Sequence, residues 1–135
     1  MSADFSGANF NGVTAHMVMF SAQDGMTLFD QTCMANAKFT MCDLSGLSGD
    51  FIQWSVSRFI GCRLNRSHLQ HARLEGVVFK ACDYRQARIK ESQLQSCSFR
   101  QSDMDQTRLW HCTLDNIDYP ESRTPIVEDS TVDAQ

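Results

Sequence analysis

The period of this chain is plainest in residues 62–84, which read CRLNRSHLQHARLEGVVFKACDY. Every fifth residue there is large and apolar, and a small residue stands two places before each of them. The large set is Leu64, Leu69, Leu74, Phe79 and Tyr84, and the small set is Cys62, Ser67, Ala72, Val77 and Cys82. Side chains return to one side of a helix about every 3.6 residues and of a strand at every second residue. A period of five fits neither element, so the backbone must turn once in each repeat.

The five-residue period extends far beyond this stretch. From Phe29 to Tyr119 there are 19 large positions, and 18 of them hold Phe, Leu, Ile, Met, Trp or Tyr. The exception, Gly49, follows Leu47 in a small position, and this exchange of volumes predicts that the pair fills the same space. Earlier repeats from Ala3 to Phe20 are offset by one residue, as if one residue had been dropped. We therefore expect a distorted loop around Gln23-Asp24-Gly25.

Glycine marks the places where the chain should turn. Five glycines occupy the fifth place of their repeats, where a residue without a side chain permits a left-handed corner. They are Gly7, Gly12, Gly46, Gly61 and Gly76. The repeats end at Tyr119, because Pro120 removes a backbone donor.

The repeats resemble the pentapeptide-repeat family, in which a small residue, Asp or Asn, and Leu or Phe follow one another. Ala3-Asp4-Phe5, Ala8-Asn9-Phe10 and Cys42-Asp43-Leu44 carry this resemblance most closely. The resemblance implies an all-β fold, a right-handed quadrilateral β-helix of about six coils over residues 1–119. Residues 120–135 would form a C-terminal tail or cap, and would be disordered if they did not pack on the last coil. The resemblance also implies a homodimer that associates through an end coil, since end coils expose strand edges.

Composition and charge exclude several classes of protein. The chain has 135 residues, which suits a single domain, and its net charge is −4. No apolar run approaches the roughly 18 residues of a membrane span, and the N-terminus lacks the pattern of a signal peptide. We therefore expect a cytoplasmic protein with no membrane partner. Secretion by a signal-peptide-independent bacterial system is left open.

The cysteines and histidines form no catalytic or metal-binding pattern. None of the six cysteines belongs to a Cys-x-x-Cys motif, and the four histidines are scattered. Five cysteines occupy small inward positions and are predicted to be reduced core thiols, which leaves Cys33 as the most exposed thiol. No nucleophile, base and orienting group can be assembled. The sequence thus predicts no enzyme, no cofactor and no metal.

Outward-facing residues are the better candidates for function. Coils of four repeats each would place Arg88 and Arg108 one above the other, with Lys90 and Trp110 on the same side. Apolar side chains that point outward can mark a binding surface. The candidate partner-binding surface consists of Arg88, Lys90, Arg108, Trp110, Ile60 and Phe51.

We expect from this surface a non-catalytic scaffold that binds another protein, and the resemblance implies a bacterial origin. The resemblance implies two alternatives: a DNA mimic that binds a type II topoisomerase such as gyrase to inhibit or protect it, and a secreted bacterial effector or effector-associated protein. A DNA mimic needs a strongly acidic rod, whereas residues 61–120 carry nine basic and seven acidic residues.

The distribution of charge also bears on nucleic acid and on ion pairs. Direct nucleic-acid binding is not favoured, because the basic residues are expected to be spread over all four sides. One coil of separation stacks Arg63 over Asp83 and Arg85 over Asp105, which permits two ion pairs across neighbouring coils. The alternative, a solvated face on which such pairing is incidental, is favoured.

Overall fold

The computed structural model describes residues 3–20 and 27–133, which contain only strands, bridges and turns. Seventeen short strands follow one another along these residues. They are β1 (Ala3–Asp4), β2 (Thr14–His16), β3 (Thr27–Leu28), β4 (Cys33–Ala35), β5 (Lys38–Thr40), β6 (Leu47–Asp50), β7 (Gln53–Ser55), β8 (Arg58–Ile60), β9 (His68–Gln70), β10 (Arg73–Glu75), β11 (Val78–Lys80), β12 (Arg88–Lys90), β13 (Gln93–Gln95), β14 (Arg108–Trp110), β15 (Thr113–Asp115), β16 (Ile126–Glu128) and β17 (Thr131–Asp133).

Parallel pairing stacks these strands into the faces of a solenoid. Face A is the sheet β1-β3-β6-β9-β12-β14-β16, and face B is the sheet β4-β7-β10-β13-β15-β17. Face C consists of β2, β5, β8 and β11. Face D is joined by isolated parallel bridges, such as those from Asp43 to Arg63 and from Arg63 to Asp83. The predicted all-β, four-sided solenoid of about six coils is therefore confirmed.

Most coils consist of four repeats, as the pairing of Phe39 with Phe59 shows. The first coil is longer. A regular coil from Ala15 would return at Ala35, whereas Ala15 pairs with Phe39, four positions further along the chain. The change of register therefore comes from an insertion of four, and the prediction of a dropped residue is wrong. The loop predicted around Gln23-Asp24-Gly25 belongs to residues 21–26, which lie outside the described residues.

The large central residues fill the axis of the solenoid in layers. Face C contributes a continuous stack of buried rings, with neighbouring centroids 5.0, 5.0 and 5.1 Å apart. Such a ring pair contributes about 0.5–1.5 kcal/mol beyond its buried area. Because one coil cannot bury its own core, the stability of the fold comes from contact between neighbouring coils. The stacked rings are those of Phe39, Phe59, Phe79 and Phe99.

The exchange of volumes between Leu47 and Gly49 is confirmed. Leu47 is fully buried, and a Cβ added to Gly49 would lie 3.5 Å from Leu47 Cδ2, 3.0 Å from Ile52 Cγ2 and 3.1 Å from Leu69 Cδ2. The space that a large central residue fills elsewhere is therefore already occupied by these neighbours.

Small inward residues satisfy their polar groups inside the coil. Ser102 Oγ donates to the Phe79 carbonyl at 2.8 Å, and Cys82 Sγ donates to the Phe59 carbonyl at 3.2 Å. All six cysteines are free thiols, of which five are buried and Cys33 is partly exposed, as predicted. Burial raises the pKa of the Cys97 thiol to about 11. A buried and protonated thiol of this kind is unreactive at neutral pH.

The backbone turns at the fifth place of each repeat in the left-handed conformation. The five glycines predicted at corners all have positive φ. Residues with side chains adopt the same conformation at other corners, including Phe51 at φ 60° and Val56 at φ 47°. A β-branched residue such as Val56 is strained in this region, because its side chain crowds the backbone.

The residues after Pro120 add two further strands to the stack. β16 pairs with β14 and extends face A, while β17 pairs with β15 and extends face B. Val127 pairs with Leu109 and Val132 with Leu114, so each takes a central position in a last half-coil. This segment lacks a clear five-residue period, yet it continues the parallel pairing of the repeats.

Candidate interaction surface

The structure brings together four of the six predicted surface residues. Arg88, Lys90, Arg108 and Trp110 lie on the outer side of face A, in the paired strands β12 and β14. Ile60 lies in β8 on face C, on the other side of the solenoid. Phe51 stands at the corner between faces A and B. The six residues therefore do not form one surface, and we call the four on face A the Trp110 patch.

Register fixes the geometry of the Trp110 patch. Arg88 pairs with Arg108, so two positive side chains stand in neighbouring strands, and Lys90 pairs with Trp110. The Lys90 ammonium lies 5.9 Å from the centroid of the indole ring, within range of a cation–π interaction. Trp110 is 36% exposed, so its ring is available to a partner.

His68 extends the patch by one coil. It pairs with Arg88 in the neighbouring strand β9. Partial burial lowers the pKa of His68, and the positive charges of Arg88 and Lys90 lower it further. The lowered pKa of His68 is therefore partly a consequence of the positive electrostatic potential on this face.

Sequence reasoning missed the acidic neighbour of the patch. β16 places Glu128 beside Trp110, and its Oε1 lies 3.8 Å from Arg108 Nη1. Glu128 lies beyond Pro120, where the repeats were predicted to end, so the columns of repeats were not extended to it. Arg108 is thus partly neutralised from within the chain, whereas Arg88 has no carboxylate within ion-pair distance among the described residues.

A ridge of rings and charges borders the patch at the corner between faces A and B. The Phe51 ring stacks on His71 at a centroid distance of 4.8 Å, and His71 Nε2 lies 3.5 Å from Glu91 Oε2. His111 meets Trp110 edge to face at 4.0 Å. Positions 51, 71, 91 and 111 follow one another at intervals of four repeats, so this column could have been found from the sequence.

Neither of the two ion pairs that the stacking of coils permits is found among the described residues. Arg85 Nη2 binds Asp83 Oδ2 at 2.9 Å and Arg85 Nε binds Asp83 Oδ1 at 3.0 Å, within one repeat. Asp83 is therefore bound by Arg85 rather than by Arg63, and no ion pair joins Arg85 to Asp105 among the described residues.

Basic residues occur on all four sides, as predicted, but they are distributed unevenly. Face C carries Lys38, Arg58, Lys80 and Arg100, with Asp118 as its one acidic residue among the described residues. Face A carries three basic residues, face D two and face B one. The faces therefore differ in charge far more than the average of the chain indicates.

A cleft of about 840 Å³ opens at the C-terminal end of face C, where the regular strands stop. Lys80, Arg100 and Arg123 line it together with three carboxylates, one of which, Asp103, is bound by Arg123 at 2.8 Å. Its charges cancel, so it offers no selective anion site.

In the described ranges no helix is long and apolar enough to cross a membrane, and no cluster of His, Cys, Asp or Glu could hold a metal ion.

Comparisons with known proteins add the following findings. A sequence model described as "Pentapeptide repeat region" matches residues 32–109, more than half of the chain. Among solved structures, the chain is similar to the pentapeptide repeat protein Rfr23 from the cyanobacterium Cyanothece 51142, with a TM-score of 0.71 and 14% identity. That match covers 96% of this chain and 91% of the other, and at this identity it concerns the fold alone.

A weaker structural likeness is found to QnrB1, a plasmid-mediated fluoroquinolone resistance protein. It covers 93% of this chain and 94% of QnrB1, at 13% identity, but its TM-score of 0.38 is too low to support an argument. A comparison with curated protein sequences gives no significant match.

Proposed function

Because the chain belongs to the pentapeptide-repeat family, we propose that it is a non-catalytic scaffold that binds another protein through the Trp110 patch. Proteins of this family are generally repeat scaffolds rather than enzymes. The stacked coils hold the outward side chains of face A on rigid strands, which suits recognition better than catalysis. A preorganised surface loses less conformational entropy when it binds a partner.

The observation that carries this proposal is an exposed tryptophan beside two stacked arginines. Trp110 lies next to Lys90, and Arg88 stands directly across from Arg108. Like charges directly opposite each other in a sheet destabilise it, and an acidic partner would remove that repulsion. Tryptophan and arginine are also the residue types that most often dominate binding energy at interfaces.

The test is affinity capture of partners from the host's lysate with three forms of the intact chain. The wild type and Arg73→Glu, which changes an exposed charge on face B, should retain the same partner. Trp110→Ala should lose it, because the indole supplies the largest apolar contact of the patch. Recovery of the same proteins with all three forms would contradict the proposal.

Self-association through the C-terminal end coil is a second part of the proposal. Ile126, Val127 and Val132 are exposed there, and β16 and β17 are the last strands of their sheets. Apolar side chains beside unpaired strand edges favour pairing with a second copy. Light scattering should give a dimer for the wild type and a monomer for Val127→Lys/Val132→Lys. A monomeric wild type would contradict this part.

The alternative of a DNA mimic is not favoured by the charges. Face C is basic and the Trp110 patch is basic, so two sides of the rod would repel a surface that binds DNA. A supercoiling assay with gyrase separates the two hypotheses. We expect no inhibition or protection by the intact chain.

A further inference from the structure

Face C and the corners on either side of it form a surface without acidic residues over four successive coils. We call this surface the basic strip and define it by residues 36–41, 56–61, 76–81 and 96–101. These four segments contain Lys38, Arg58, Lys80 and Arg100 and no Asp or Glu. Asp118 and Glu121 stand in the next coil and line the cleft at the end of face C together with Lys80 and Arg100, so they mark the C-terminal limit of the strip. In a chain of net charge −4, this is a marked local excess of positive charge.

The positive side chains of the basic strip form no ion pairs within the described part of the chain. The ion pairs found there involve His71, Arg85, Arg108 and Arg123, and none of the four cations of the strip. Lys38 stands directly across from Arg58. The bridge between Val78 and Ser98 likewise sets Arg100 next to Lys80. Each of these stacked pairs destabilises the free protein, since like charges face each other.

Apolar side chains occupy the middle of the strip and also its two corners. Ile60 and Val78 are half-buried in neighbouring strands of face C, each beside one of the cations. Val56 stands at the corner, 62% exposed, and Met41 is 60% exposed at the opposite corner. The strip therefore presents an apolar centre between positive charges rather than charge alone.

Val56 supplies an independent indication that this surface is used. Its φ of 47° places a β-branched residue in a region that glycine occupies at the same corner one coil later, in Gly76. The side chain is exposed, so it does not compensate for this strain by packing in the core. Strained residues that persist in a fold cluster at functional sites.

From these observations we propose that the basic strip docks an extended acidic segment of a partner protein that carries apolar side chains. Phosphate backbones bind to positive charge alone, so the apolar centre favours a protein segment over nucleic acid. Three coil steps of about 4.8 Å separate Lys38 from Arg100, a span of about 14 Å. An extended chain covers this span with about four residues. The strip lies on the side of the solenoid opposite the Trp110 patch and does not depend on that patch.

The test measures binding of a labelled synthetic peptide of alternating glutamates and leucines to the intact chain, by fluorescence anisotropy at low salt. Arg58→Glu/Lys80→Glu should weaken binding at least about ten-fold, because it reverses both central charges. Arg66→Glu/Arg73→Glu changes the net charge by the same amount on other sides and should leave binding unchanged. Trp110→Ala should also leave it unchanged. Equal losses with both double variants would overturn the proposal, since they would indicate attraction by net charge.

A second variant separates docking from folding. Val56→Gly relieves the strained corner, so it should keep the fold and still weaken peptide binding about three-fold. A peptide in which glycine replaces leucine should bind more weakly than the leucine peptide. The proposal is overturned if Val56→Gly and the loss of leucine have no effect. It is also overturned if a DNA duplex or phosphatidylglycerol vesicles bind more tightly than the leucine peptide.

Discussion

Replacing Val56 by glycine should stabilise this protein, although the change removes an apolar side chain. Val56 has a φ of 47° and is 62% exposed, so most of its side chain contributes nothing to the core. Relief of the left-handed strain for a β-branched residue is worth about 2 kcal/mol. Glycine reduces this gain by about 0.7 kcal/mol, because it gives the unfolded chain more conformational freedom. Loss of the small buried part of the valine side chain reduces the gain by a further amount of about 0.5 kcal/mol.

These contributions leave Val56→Gly about 0.5–1 kcal/mol more stable than the wild type. The matched reverse change is Gly76→Val, one coil further along the same corner. A Cβ at Gly76 would have no heavy atom closer than 3.9 Å, so it meets no steric clash and the main cost is the strain of the left-handed backbone at φ 64°. Gly76→Val should therefore be about 0.5–1 kcal/mol less stable than the wild type.

The assay is equilibrium unfolding in urea, followed by circular dichroism. With a slope of about 2 kcal/mol per molar urea, the midpoint should rise by about 0.3–0.5 M for Val56→Gly and fall by a similar amount for Gly76→Val. A lower midpoint for Val56→Gly, or a higher one for Gly76→Val, would refute the reasoning from backbone strain.

Four further predictions concern the core, a buried hydroxyl, a histidine and the thiols. Phe79→Ala should lower the free energy of unfolding by about 4 kcal/mol in urea titrations, because a buried ring is lost from the middle of a stack; a loss below about 1 kcal/mol would argue against continuous packing. The Tyr84 hydroxyl is buried and has no hydrogen-bond partner among the described residues, so Tyr84→Phe should raise stability by about 1 kcal/mol, and a clear loss would show that the hydroxyl is bound. The pKa of His68 is lowered in the folded state, so the unfolded chain binds a proton more readily than the folded protein does. The free energy of unfolding should therefore decrease as the pH falls below about 6.5. An NMR titration should give a pKa below about 6.5 that rises in Arg88→Gln, and an unchanged value in that variant would be inconsistent with the proposed potential. Ellman's reagent should titrate one thiol of the native protein, Cys33, and the other five only after unfolding; rapid reaction of two or more would contradict their burial.

Much of the fold could be predicted because the repeat is nearly continuous. Each repeat contributes one large central residue and one corner, so counting by five locates the core and the turns. Counting four repeats at a time then places Arg88 beside Arg108 before any coordinates are known. Where Leu47 and Gly49 break the rule, their volumes still compensate, so the register survives.

The rest could not be predicted because it depends on segments outside the repeat or on side-chain rotamers. The sequence cannot distinguish an insertion of four from a deletion of one, since both shift a five-residue register equally. After Pro120 the step is shorter than a regular coil, so Ile126 takes the place opposite Arg108 and Glu128 pairs with Trp110. Asp83 has an arginine available on each side, and only the side-chain geometry selects Arg85.

The basic strip could have been found by sorting charges into columns that repeat once per coil. Lys38 and Arg58 share one outward column of face C, and Lys80 and Arg100 share the other. The signal is the absence of acidic residues from these two columns and from the corners on either side over four coils, which an overall net charge conceals. Charge is therefore better counted by face than by chain segment in a solenoid of this kind.

The most direct test of the central claim, that face A binds another protein, is site-specific photo-crosslinking in the host cell. A photoreactive phenylalanine derivative would replace Gln70, which stands beside Lys90 on face A. The control replaces Gln95, an exposed glutamine in the equivalent position of face B. We predict a covalent adduct with another protein from position 70 and none from position 95. Adducts of equal yield from both positions, or none from position 70, would contradict the account.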